Sequence, residues 1–268
     1  MSGGGMTCSY GAGSILALAE KYNLEKPDIV IAGSGNAGTL AYFVTRQYDF
    51  MINIWSNLLA TKKFIDLGRI SKIVDIDYLV DEVIKKQAPI DEEKIYSSKI
   101  LYLIPATNVE TGQVTFFSNH ERDDIFEAMR ASKAMPVVYN KKITIGKKKY
   151  CDSYLSTSTE LNTLKAIQLG ANRIIIIDNT LPSFISNFVF LLWLNFKSKK
   201  FKKNYLKSLK RIKKIKFPKK VQLIKLKPVK KLKISLLNNK HEALEQAIKQ
   251  GFDETCENLA LKKFLKGI

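Results

Sequence analysis

Three nearly uninterrupted apolar runs fix the class of this chain: "PDIVIAG" at residues 27–33, the core of "KIYSSKILYLIPATN" at 94–108, and "NRIIIIDN" at 172–179. A strand exposed on one face alternates apolar with polar residues. Continuous Ile/Val/Leu runs of this length instead describe strands covered on both faces. Between them lie segments with helical patterning: a helix ending near Tyr22, "NAGTLAYFVTRQY", "IDYLVDEVIKK", "RDDIFEAMRAS" and "STELNTLKAIQLG", which stops at Gly170. Strand–helix alternation of this kind predicts a three-layer α/β/α sandwich around a mostly parallel central sheet. "GQVTFFS" and "KKITIGKKKYCDS" add hairpins, the second centred on Gly146. "VQLIKLKP" alternates as a strand, and "HEALEQAIKQGFDETCENLALKKFL" predicts a final amphipathic helix. The expected division is a core over residues 1–180 and a basic strand–helix extension over 181–268 that packs on it.

The net charge of +19 is concentrated. Residues 197–233 carry 18 Lys/Arg and no Asp/Glu, and the remainder holds 26 basic against 25 acidic residues. The chain is a near-neutral body with one cationic segment. Just before it, "FISNFVFLLWLNF" (184–196) is 13 residues long. A spanning helix needs about 20 residues, so this stretch predicts a buried or interfacial helix. Beside it, Lys197–Lys233 suggests docking on an anionic membrane surface. A nucleic-acid partner is not expected, because no recognition motif accompanies the lysines. Three scattered cysteines (Cys8, Cys151, Cys256) and no visible signal peptide suggest a cytoplasmic protein, peripheral to a membrane if the basic segment docks. His120 and His241 lie far apart, and no Cys/His spacing suits zinc. Neither a metal nor a cofactor is expected.

Three stretches offer chemistry. "GGGMTCSYGAG" places consecutive glycines before a helix, where free backbone N–H groups and the positive helix end suit an anion. "IAGSGNAGTL" has the strand–sharp turn–helix form of a nucleophile elbow, in which small residues flank the nucleophile. The register with small residues on both sides is Ser34-Gly35-Asn36-Ala37-Gly38, which puts Asn36 at the centre. Ser34 is the alternative hydroxyl, two positions early at the strand exit. "RASKAMP" (130–136) then leads through a Pro turn and a hairpin to Asp152.

Together these stretches resemble the patatin-like phospholipase family, in the order glycine loop, elbow, RAS-x-A-x-P stretch and aspartate. The tail, "LIKLKPVKKLKISLL" and "IKQGFDET", resembles the bacterial branch. The resemblance implies a lipid acyl hydrolase with a Ser/Asp dyad, Asp152 as base, and an oxyanion site at Gly3, Gly4, Gly5 and Met6. It departs from the family pattern at four places. Asn36 occupies the nucleophile position, Thr7 stands where Lys or Arg is usual, Ser153 replaces Gly after the aspartate, and only Met1 and Ser2 precede the glycines where the family has a strand. An amide is no acyl-forming nucleophile, and losing such a serine costs about 10⁶ in kcat in a studied protease. The expectation is therefore a scaffold with little or no esterase activity: a natural pseudoenzyme, an inactivated variant, or a decayed or misread copy. The alternative is a non-catalytic protein that binds lipid or a membrane surface.

Overall fold

In the computed structural model, which describes residues 1–180 and 193–266, the strands form two sheets. The first is built on β2 (Leu101–Asn108). β1 (Ile29–Ile31) runs parallel to it, with Ile29 opposite Leu101. β3 (Val114–Ser118) returns antiparallel along β2, and the hairpin of β4 (Ile143–Ile145) and β5 (Lys148–Cys151) joins through Thr107 and Asn108. The second sheet pairs β6 (Arg173–Ile177) in parallel with β7 (Gln222–Leu226). The architecture is a mixed α/β one with helices on both faces, as the covered strands require.

The period of two along each strand sorts its side chains into two layers. Val30 and Ala32 of β1's run, with Tyr102, Ile104 and Ala106 of β2, face the main core. That core also takes residues from α1 (Cys8–Tyr22), α2 (Gly35–Thr45) and α5 (Ile125–Lys133). Ile31 and Leu103 point the other way, onto Ala166 of α6 (Thr159–Gln168). The shorter helices α3 (Tyr48–Asn53) and α4 (Glu92–Ser97), a π-turn over 54–58 and a π-helix over Tyr78–Gln87 complete the region between β1 and β2. Arg130 of α5 ties to the π-helix through Asp77 at 2.9 Å and Asp81 at 2.6 Å.

The two sheets meet at the N-terminus. The Met1 amine donates to the Ile31 carbonyl at 2.6 Å and the Ser2 N–H to that of Ile177 at 3.1 Å. The tail is built into the same core. α8 (His241–Glu257) lies along α1 and buries Leu244, Ala247 and Ile248. Gly13 and Gly251 let the two backbones touch, since a Cβ at either would sit 1.9–2.0 Å from a carbonyl oxygen of the other helix. The terminal helical stretch is broken at Asn258, whose side chain accepts from Leu261 N–H at 2.8 Å and caps the short α9 (Leu259–Leu265).

The cationic segment forms α7 (Lys199–Ile212), capped by Ser198. It is anchored by Phe201, which is 0% exposed and packs with Cys151, Leu155 and Trp193. The apolar reading of residues 184–196 falls largely outside the described residues. No described helix is long and apolar enough to cross a membrane.

Candidate active site

β1 ends in Ala32, and the chain turns at Ser34 into α2. Ser34 has φ 51° and ψ −132°, a backbone conformation that a residue with a Cβ seldom adopts. The turn requires its glycine neighbours. A Cβ on Gly33 would lie 2.2 Å from Ser153 Oγ, and one on Gly35 would lie 2.7 Å from Cys8 Sγ. The strain therefore sits on one residue, and its side chain is presented at the N-terminus of a helix. Ser34 Oγ donates to Asp152 Oδ2 at 3.0 Å.

The structure thus shifts the elbow two residues from the register expected of its small residues. Position 36 does not face the carboxylate. Asn36 is 0% exposed, one residue into α2, and its Nδ2 donates to Ser2 O at 2.7 Å and Asn179 Oδ1 at 2.8 Å. The reason is geometric. In a strand–turn–helix the outward residue is the one at the break, while the residue two later already belongs to the helix and turns inward. Ala37 is likewise buried, its carbonyl taking the Tyr102 hydroxyl, and Gly38 lies over Lys133. Ser34 itself is partly exposed.

Asp152 follows β5 and caps a 3-10 turn over Ser153–Leu155. Its Oδ1 accepts from Tyr154 N–H at 2.8 Å, its N–H donates to Ala134 O at 3.0 Å, and its carbonyl takes the Thr107 hydroxyl at 2.6 Å. Burial pushes its carboxyl up to about 6. The Tyr154 N–H, the Ser34 hydroxyl and the charge of Lys133 pull the other way. Ser153 tolerates the place of a glycine because it is not among the residues with positive φ.

The glycine loop lies on the other side of Ser34. Gly3 approaches so closely that a Cβ there would stand 2.9 Å from Ser34 Cβ. Gly4 and Gly5 have φ of 150° and 54°, and among the described residues the N–H groups of Gly3, Gly4 and Gly5 have no internal acceptor. Met6 differs, because its N–H is taken by Leu236 O at 3.1 Å. Thr7, in place of a basic residue, locks the loop with its hydroxyl on Gly4 O at 2.8 Å and Asn179 O at 2.9 Å. Asn179, just past β6, also donates to Gly3 O at 3.0 Å. It is the residue that sequence reasoning missed most plainly. Its one signal is its position after the carboxyl end of a buried strand, where α/β sheets gather their sites.

His120 and His241 each bond a backbone carbonyl, of Ser98 and Ser56, and neither bonds to Ser34 or Asp152. Among the described residues no group of three His, Cys, Asp or Glu side chains is placed to hold a metal. The arrangement joins a strained hydroxyl, a desolvated carboxylate and unspent backbone N–H groups. These are the parts needed for acyl transfer without histidine.

No curated protein is significantly similar in sequence. Among solved structures, the crystal structure of VipD from Legionella pneumophila aligns with TM-score 0.44 and 11% identity over 99% of this chain and 66% of that one. The chain spans just under two thirds of VipD's length. The model of the patatin-like phospholipase family matches residues 1–163, which contain the glycine loop, the elbow and Asp152, and the chain belongs to that family.

Proposed function

We propose that this protein is an active lipid acyl hydrolase that cleaves carboxylic esters with a Ser34–Asp152 dyad. The observation that carries the reading is the 3.0 Å hydrogen bond from the strained Ser34 hydroxyl to Asp152. The expectation of inactivity rested on Asn36 standing opposite the base, and Ser34 stands there instead. Ser34 Oγ attacks the acyl carbonyl and its proton passes to Asp152 Oδ2. The oxyanion is held by N–H groups of Gly3–Gly5 and by that of Gly35 at the open end of α2. A donor of this kind contributes about 3–4 kcal/mol in other acyl hydrolases. The tetrahedral adduct collapses, Asp152 returns the proton to the leaving alkoxide, and Ser34 carries the acyl group. Water then attacks with Asp152 as base, and the free acid leaves.

The test is hydrolysis of p-nitrophenyl acyl esters together with labelling by a fluorophosphonate. Ser34→Ala and Asp152→Asn are expected to lower turnover by at least 10⁴-fold and Ser34→Ala to abolish labelling, whereas Asn36→Ser gains nothing. Turnover unaffected by Ser34→Ala, or a parent inert in both assays, would overturn the reading.

A lipid substrate is presented at a surface, and the placement of α7 supports an anionic membrane as the partner. Phe201 roots this cationic helix against Leu155, three residues from Asp152, and leaves Leu206 and Leu209 exposed between lysines. Such a face suits an acyl–headgroup boundary. The non-catalytic alternative, a surface-binding protein on this scaffold, would bind anionic vesicles yet fail both assays above.

A further inference from the structure

A lysine is almost never buried without a partner. Lys133, the fourth residue of "RASKAMP" and the last of α5, is 6% exposed. Its Nζ donates to the carbonyl of Ser34 at 2.7 Å. The residue before it completes a grip, since Ser132 Oγ accepts the N–H of Ser34 at 2.9 Å. The residue after it, Ala134, accepts the N–H of Asp152. Three consecutive residues at one helix end therefore hold both peptide groups of the strained serine and the backbone of the aspartate. A disfavoured conformation persists only when its surroundings over-determine it, and these contacts do so.

The ammonium also acts at a distance. The ionisable groups that act on it are Asp152 and the Cys8 thiol of α1, and both favour its charge. Burial lowers Lys133 to about 8, so it stays protonated at neutral pH. Burial raises the thiol to about 12, leaving it neutral there. Among the described residues, Asp152 is then the anion whose charge acts on the lysine.

We propose that Lys133 is a positioning residue for the reaction: its ammonium fastens the carbonyl of the elbow serine, and its charge stabilises the ionised Asp152 beside the Ser34 hydroxyl. The proposal rests on the Ser34–Asp152 reading and goes beyond it in giving the x position of the RAS-x-A-x-P stretch a task. Merely filling space would not couple this side chain to the titration of the base.

Lys133→Met is expected to move the acid limb of kcat/KM upward by roughly one pH unit, so its loss is about tenfold greater at pH 5.5 than at pH 9. KM should change little. Lys133→Arg, which keeps the charge, should keep the parent's acid limb. Ser132→Ala, which removes only the grip on the N–H, should lower kcat without moving the limb. An unmoved acid limb in Lys133→Met, at whatever activity, would overturn the electrostatic role.

A second measurement needs no turnover. In ¹³C-ε-lysine NMR, the Lys133 resonance, assigned by its absence from the spectrum of the charge-keeping Lys133→Arg variant, should titrate at lower pH in Asp152→Asn than in the parent. Equal midpoints would refute the coupling even if the dyad proved inert. Loss of turnover and labelling in Ser34→Ala tests the dyad reading separately.

Discussion

Ionising a carboxylate that water cannot reach is costly, and Asp152 is 0% exposed. Its carboxyl stands at about 6 against 3.8 in an unstructured chain. Two consequences follow. As base it must be ionised, so kcat/KM is expected to rise with pH through about 6 and level off above. As a buried acid whose folded pKa is raised, it holds its proton more tightly when folded than when unfolded. Stability therefore falls as pH climbs from about 4 to 6, and the loss persists at neutral pH. Asp152→Asn keeps the shape without the charge. It should be inactive yet more stable at pH 7.5, by about 2–3 kcal/mol, the attraction of Lys133 being already contained in that raised pKa, with the gain gone below pH 4. Urea unfolding at the two pH values checks this, and an Asn variant that is less stable at pH 7.5 would count against a desolvated carboxylate. The same scale explains the misplaced register. The small residues two positions to either side, Ser34 and Gly38, favour Asn36 as the centre, but Ser34 also has a glycine on each side, so the small-residue rule does not separate the two positions. What decides is that Asn36 reaches Asn179, 143 residues away, and Ser34 reaches Asp152, 118 away. No spacing rule shows such contacts.

At the scale of elements, the contact between α1 and α8 is the most demanding. Gly251 lies over the Tyr10 carbonyl and Gly13 over that of Ile248. Around this contact Tyr10 donates to Glu254 at 3.1 Å, Ser14 to Gly251 O at 3.3 Å, and Tyr22 to Cys256 O at 3.0 Å. Gly251→Ala raises helix propensity by about 1 kcal/mol but forces the helices apart, which costs about 3 kcal/mol. A net fall in melting temperature of roughly 4–8 °C is expected by calorimetry. A rise would mean that the helices can separate freely. Elements of this kind were largely legible in the sequence, because strands covered on both faces and amphipathic helices carry their period locally. The β1 and β6 runs, the β4–β5 hairpin and the stop near Gly170 all stand where patterning put them. The break at Asn258 was not foreseen, since a capping Asn inside an apolar–polar repeat is outweighed by the repeat. The glycine contact gave no sign either, because a glycine inside a helix signals its reason only through its neighbour.

For the molecule as a whole, a near-neutral body carries its charge on one side of a candidate active site. Sedimentation with vesicles containing anionic lipid is expected at low salt and should weaken at least tenfold between 50 mM and 300 mM NaCl, as screening dictates. Neutralising Lys199, Lys200, Lys202, Lys203 and Lys207 should reduce binding while leaving turnover of a soluble ester intact. Binding that ignores both salt and these substitutions would move the lipid-facing surface elsewhere. The charge run was plain in the sequence. Its seat beside Leu155 was not, because that depends on Phe201 filling a gap left by Cys151 and Leu155 in another part of the chain.

The glycine loop holds a final consequence. It is made near the beginning of the chain, yet its rigidity comes from Asn179 and from Leu236, and α1 behind it is backed by residue 251. Contacts this distant in sequence close late in folding. On the ribosome residues 3–5 wait for residues 179, 236 and 251 to emerge before the loop can settle. A partly synthesised chain thus carries Ser34 long before it carries the residues that hold the glycine loop beside it.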